Sequence, residues 1–278
     1  MRKFIFIVFL AFAGFHFSHA QALRTPQPST TTTIKQEFAL SNIELSYSRP
    51  SMKGRTIFGD LVPYGKVWRT GANGATTITF GEDVNIGGTA VKAGKYGLLT
   101  IPEATKWTII LTKQLDVTSP AAYKQDQDVV RVSAETRPLN YPMENFTLMF
   151  GNISANACEL WMLWDNTIVS LPIKTDVDTK VMAQINDAMN KDSRPYFSAA
   201  MYYMDNNKDL NKALEWLDKA AVQNPQAFWV LHQKANCQAK LGKKAEAIAT
   251  AEKSITLAKA AKNDDYVKLN EDLIKKLK

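Results

Sequence analysis

Three arginines, Arg49, Arg55 and Arg69, stand in Gly- and Pro-rich connections beside Trp68 and Asn73. Guanidinium groups make bidentate contacts to carboxylate or phosphate, and an indole face stacks on a sugar ring or on Arg itself. Together they suit recognition of an anion or a sugar-like ligand. The same residues also serve as internal braces, with each Arg pinning loops by their backbone carbonyls, Gly54 and Gly71 supplying turns and Trp68 filling core. Bracing is the favoured reading. A ligand-binding set of Arg49, Arg55, Trp68, Arg69 and Asn73 is the competing one.

Catalytic chemistry finds little to work with. The chain has three histidines and two cysteines. Arg2 and Lys3, the apolar stretch Phe4 to Phe17 and the small residues of Ser18-His19-Ala20 have the three-part layout of a secretory signal peptide, with cleavage expected after Ala20. Export then removes His16 and His19 and leaves His232 alone, too small an inventory for a Ser-His-Asp or Cys-His machine or for the usual zinc site. There is no Gly-x-Ser-x-Gly, Cys-x-x-Cys or His-Glu-x-x-His. Gly88 to Lys95 fails as a phosphate loop, because the glycine spacing is wrong and Tyr96 stands where Ser or Thr would bind magnesium. Glu44, Asp60, Glu82, Asp83 and Glu159 supply carboxylates, but no spacing pairs two of them for glycoside cleavage. Cys158 and Cys237 read as separate buried thiols. No metal site and no cofactor is expected, and the catalytic set is empty.

The elements that must position these residues fall into two halves. With 45% apolar and 22% charged residues, 278 residues can bury a core, and after the first twenty no apolar run approaches a bilayer's thickness. Residues 21–36, rich in Thr, Pro and Ser, read as a disordered leader. Residues 37–175 show β periodicity: Ile43, Leu45 and Tyr47 alternate with polar neighbours, as do Phe146, Leu148 and Phe150. Thr76–Phe80, Tyr96–Ile101 and Trp107–Thr112 are short β-branched and aromatic runs, and Asp165-Asn166 is expected to turn a hairpin between Leu160–Trp164 and Thr167–Ile173. Eight or nine strands argue an antiparallel sandwich or barrel. From Asp176 the spacing of Val177, Val181, Ile185 and Met189 predicts a linking helix over 176–193, and 194–278 is Ala-, Leu- and Lys-rich and helical. The fold class is therefore α+β, with two domains.

Charge divides at the same place. Export lowers the formal charge from +7 to +5, and residues 191–278, with 16 basic and 11 acidic side chains, hold the whole excess. These are mostly lysines interspersed with acids, which describes a solvated surface with mild attraction to acidic partners or anionic lipid. A nucleic-acid reader would instead show clustered Arg with interleaved aromatics, so nucleic acid is not an expected partner.

Two resemblances organise the halves. The blocks Ser48–Gly59, Leu61–Asn73, Ala75–Phe80, Lys92–Leu98 and Trp107–Ile110, in that order, resemble a bacterial family of unknown function, number 2911, over about residues 36–175. That resemblance implies a fold and export, not a reaction. In 194–278, an offset of 34 places Ala213 on Ala247, Ala220 on Ser254 and Met201 on Ala235, with turns at Asp205–Lys208 and Leu241-Gly242 and a capping helix from about Asp264 to Leu277. This period and these small residues resemble the tetratricopeptide repeat, although Lys208 and Lys259 depart from its pattern. The repeat geometry implies a groove lined by Ser198, Tyr202 and Asp205, then Trp229, His232 and Asn236, which suits an exposed peptide-contact stripe.

These readings give an exported, periplasmic or secreted, non-enzymatic binding or assembly module. Its expected partners are an envelope protein or peptide on the helices and a glycan or small anion on the β domain, with no membrane span after cleavage. The alternative is a carbohydrate-active or other hydrolase whose Arg/Trp/Asn-lined pocket holds a catalytic acid.

Overall fold

A computed structural model describes residues 25–191 and 194–278. The expected signal peptide, its cleavage point and the first residues of the expected leader lie outside the described residues. The chain divides into two compact units after Thr175. Among the described residues, no helix is long and apolar enough to cross a membrane.

The described residues of the first unit form one open, nine-stranded antiparallel sheet: β1 Thr30–Phe38, β2 Ser41–Arg49, β3 Thr77–Phe80, β4 Val84–Ile86, β5 Thr89–Val91, β6 Gly94–Pro102, β7 Lys106–Thr112, β8 Asp128–Gly151 and β9 Ala157–Lys174, in spatial order β1-β2-β3-β6-β7-β8-β9-β4-β5. Strands from both ends of that order, Ile43 and Leu45 on β2 and Val84 and Ile86 on β4, bury their side chains in one core. Tyr47 on β2 ties across to β8, its hydroxyl accepting from Leu148 N at 3.0 Å, and Ser51 bridges to Asn145. A second, smaller cluster of Leu99, Ile110 and Val117 covers the other face of β6 and β7. That double burial explains why these two strands read as near-continuous apolar runs instead of alternating.

Two expectations change. The four threonines of the expected leader begin β1, an edge strand in register with β2 from Thr30↔Arg49 to Phe38↔Ser41. Thr31 Oγ1 lies 3.0 Å from Ser48 Oγ, and Thr33 Oγ1 donates to Ser46 Oγ at 3.3 Å. β-Branched Thr suits a pleated edge, and its polarity hides the strand from a hydrophobicity reading. The hairpin expected at Asp165-Asn166 does not form, and β9 runs straight through it. Asp165 does take positive φ (50°), but it does so as an irregularity opposite Met143 within the β8–β9 ladder. Across this irregularity, where the register with β8 shifts, the buried side of β9 passes from even positions (Leu160, Met162, Trp164) to odd ones (Val169, Leu171, Ile173).

Among the described residues the second unit holds six α-helices: α1 Val177–Ala188, α2 Tyr196–Asp205, α3 Leu210–Gln223, α4 Phe228–Lys240, α5 Lys244–Ala260 and α6 Asp264–Leu277. Asp176, Asp209 and Asn263 cap α1, α3 and α6 by accepting from first-turn backbone N–H groups. Gly242 takes φ +75° in the α4–α5 turn. Each helix from α2 to α6 packs on the next, and α2 also meets α4, as α4 meets α6. The linking helix ends at Ala188 and buries Ile185 in the helical core, so it belongs to this unit.

Candidate functional site

The connector between β2 and β3 builds the site. It anchors itself with Ile57 and Val62, both buried in the main core, and with Trp68, whose backbone pairs in both directions with Thr100 on β6 at 2.7 and 3.0 Å. The half-buried Trp68 ring stacks on Trp164 of β9 (centroids 5.8 Å apart, planes at 16°), meets Phe146 edge-on at 4.9 Å and donates from Nε1 to Gly71 O at 3.1 Å. Gly71 lies at φ +151°, and a Cβ there would sit 2.9 Å from Ser48 O. The aromatic cluster thus fixes one side of Trp68 while the other lines two neighbouring concavities.

The larger concavity, about 340 Å³, gathers Lys53, Arg55, Trp68 and Arg69 with Trp164 and the Pro28-Ser29 segment. Arg55 is braced by its own turn, Nε donating to Met52 O at 2.9 Å and Nη2 to Ser51 O at 2.6 Å. Arg69 Nη1 donates to Thr118 O at 2.9 Å, while its buried Nε has no acceptor among the described residues. Lys53 has φ +50° and precedes Gly54 at φ +70°, so the turn swings two cations to one side. Glu144 of β8 holds that turn, its backbone O accepting from Met52 N at 2.8 Å and its carboxylate from Lys53 N at 2.9 Å. The smaller concavity, about 200 Å³, shares Leu61, Val62, Trp68 and Arg69 and continues over Val67, Val117 and Pro120. No described carboxylate lines either one.

Of the five residues singled out from the sequence, Arg55, Trp68 and Arg69 come together and two do not. Arg49 crosses from β2 to β8, Nε to Phe146 O at 3.3 Å and Nη2 to Thr147 Oγ1 at 2.8 Å. Asn73 donates to Ser29 O at 2.9 Å and to Ser48 Oγ at 3.3 Å. Both act as braces. Lys53 and Trp164 were missed, although Lys53-Gly54 carries a turn signal between quoted arginines; Trp164, far along the chain, carried none.

Elsewhere on the β unit, Glu159 accepts from Ser170 Oγ, from Asn152 Nδ2 at 3.0 Å and from Trp161 Nε1 at 2.8 Å. These hydrogen bonds, that of Ser170 first, hold its carboxyl down at about 2. It shares a shallow depression with Glu135 and Arg137. A carboxylate so fully satisfied is anchored as an anion and has no proton to give at neutral pH. Cys158 and Cys237 are both free and buried, and burial pushes the Cys158 thiol up to about 11.

On the helices, Ser198 is exposed and Trp229 is 38% exposed. Tyr202 donates to Asp178 of α1 at 2.9 Å, and burial, followed by that bond, pushes its hydroxyl up to about 12. His232 corrects the expected exposed stripe, because it is buried against α6. Asn270 Nδ2 donates to Tyr266 O at 2.6 Å and Ser254 Oγ at 3.0 Å, which leaves its Oδ1 to accept from His232 Nδ1 at 2.9 Å. Asn236 Nδ2 then donates to Nε2 at 3.0 Å. Both ring nitrogens are occupied within the helical unit, the imidazole as its Nδ1–H tautomer.

The first unit is thus an open antiparallel sheet protein with a cation-lined cleft in its β2–β3 connector. The family profile described as "Protein of unknown function (DUF2911)" matches residues 29–173, from the start of β1 to the end of β9, and the chain belongs to that family. No curated protein and no solved structure matches the chain.

Proposed function

We propose that this is an exported, non-enzymatic binding or assembly protein of the bacterial envelope. Its β unit holds an anionic small molecule or acidic glycan, and its helical unit, a tetratricopeptide-like repeat, holds a protein or peptide. The observation that carries the reading is the convergence of Lys53, Arg55 and Arg69 around Trp68 in one concavity with no lining carboxylate. Three cations whose concavity is lined by no described carboxylate raise local anion concentration, and Arg supplies the bidentate geometry.

The hydrolase alternative needs an acid facing those guanidiniums. The carboxylates that do share a depression, Glu135 and Glu159, lie in a different one. For export, the support is the sequence layout of residues 1–20. For the repeat, it is the burial of Ala213 with Ala247 and of Ala220 with Ser254, pairs one period apart, and the contact of α2 with α4 and of α4 with α6.

The test is a titration of the purified chain from Gln21 onward with inorganic phosphate, carboxylates and acidic oligosaccharides, alongside hydrolase panels. Saturable binding that weakens as salt rises and is lost in K53Q/R55Q supports the reading. Turnover of a glycoside, ester or peptide abolished by one carboxylate substitution sinks it. N-terminal sequencing of the exported protein should begin at Gln21, and a Met1 start would remove the export claim.

A further inference from the structure

Resting on the cleft reading above, we propose that the ligand of the β unit is an anionic amphiphile: a single carboxylate or phosphate head with a short apolar tail. The two concavities are neighbours that share Leu61, Val62, Trp68 and Arg69, yet their walls differ in chemistry. The larger collects Lys53, Arg55 and Arg69. The smaller runs over Val62, Val67, Val117 and Pro120, of which Val62 and Val117 are almost fully buried and therefore form a fixed floor.

Three further observations join the two sides. Leu61, on the shared wall, is 42% exposed, an aliphatic side chain left in water where a tail would cover it. Arg69 lines both concavities; its Nη1 donates to Thr118 O, a residue of the apolar side, and its buried Nε has no acceptor among the described residues. Trp68 presents an indole to both concavities, held still by Trp164 and Phe146. A head on the guanidiniums places its first methylenes against Trp68 and Leu61 and the rest of its tail over Val67. The one other cation of the apolar side, Lys66, is exposed on its rim, where its charge stays solvated.

The experiment is calorimetry on the whole chain from Gln21 with acetate, butanoate, hexanoate and octanoate, the matching alkyl phosphates, octylamine and octanedioate. Affinity is expected to rise roughly fourfold per methylene until the smaller concavity is full, for either head, with octylamine not binding. V67N, which adds polarity without charge, should flatten that chain-length dependence, read as the ratio of octanoate to acetate affinity within the one variant, and R55Q should weaken every member of the series alike. Short and long anions binding equally well would overturn the amphiphile and leave the anion cleft standing. Octanedioate binding more tightly than octanoate would also overturn it, by assigning the second concavity to a second charge through Lys66. If no anion binds at all, the cleft reading fails as well.

Discussion

The Glu144 carboxylate accepts the backbone N–H of Lys53 at 2.9 Å, and this bond joins a long strand to the turn that carries two of the cleft's three cations. The backbone O of Glu144 accepts from Met52 N at 2.8 Å and from Trp164 Nε1 at 3.2 Å, so one residue ties the cation turn and the aromatic wall to the same point of β8. E144A leaves the two carbonyl bonds and removes the carboxylate. Because that bond is exposed, the expected stability loss is about 1 kcal/mol or less. The Lys53 amide should exchange hydrogen faster, and anion affinity should fall because the turn is no longer fixed before binding. An unchanged Lys53 exchange rate would show that the turn holds itself.

Gly71 and Trp68 form the second support. At φ +151° and with Ser48 O only 2.9 Å from where a Cβ would sit, Gly71 is strained by any side chain, and its carbonyl holds the Trp68 indole. G71A is expected to cost about 1–3 kcal/mol from backbone strain, read from urea unfolding. W68F should keep most of the ring contacts and lose the bond to Gly71, whereas W68A opens a cavity between Trp107, Phe146 and Trp164 at about 3–5 kcal/mol. If W68F and W68A destabilise equally, the hydrogen bond outweighs the packing.

Legibility in the sequence followed burial. Strands with one wet face, such as β2 with Ile43, Leu45 and Tyr47, announced themselves by alternation, and the helices by their spacing and by Gly242. The Thr-rich β1 escaped because an edge strand that faces water needs no apolar period. The Asp165-Asn166 hairpin was misread because positive φ is common to a two-residue turn and an irregularity within a strand, and only the partner strand distinguishes them. In the cleft, Arg55, Trp68 and Arg69 were visible as types in one connector, but their separation from Arg49 and Asn73 was not. Both of the latter reach toward distant segments, Phe146 and Ser29, whose proximity is tertiary. Trp164 was hidden for the same reason, and His232 looked exposed until α6 covered it.

Acid stability should report Glu159. Its folded carboxyl lies near 2 instead of the ordinary 4.5, so the folded state favours the anion and gains stability wherever the unfolded chain is already ionised. That contribution is fully present above about pH 4.5 and is lost as pH falls through about 2. E159Q, which keeps the shape without the charge, should flatten the stability curve across that window and leave anion binding at Lys53, Arg55 and Arg69 untouched. Equal slopes for the two proteins between pH 4.5 and 2 would assign the acid response to other carboxyls.

The buried polar network of the helices offers the sharpest test of packing in that unit. Asn270 is fully buried and joins α6 to His232 on α4 and to Ser254 on α5, whose hydroxyl donates to Phe228 O at 2.7 Å. N270L removes the acceptor of His232 Nδ1–H, the donor to Ser254 and the donor to Tyr266 O together. Ser254 keeps its bond to Phe228 O, so the loss expected in the helical signal is chiefly that of leaving the buried imidazole N–H without a partner, about 1–3 kcal/mol. H232F alone spares the bonds of Asn270 to Ser254 and Tyr266 and should cost less. Combining the two removes both ends of the His232–Asn270 bond, so the double variant should be less unstable than the two single losses added, with a coupling of about 0.5–3 kcal/mol. Strict additivity, measured by thermal unfolding of all four proteins, would mean that the imidazole and the amide sit side by side without stabilising one another.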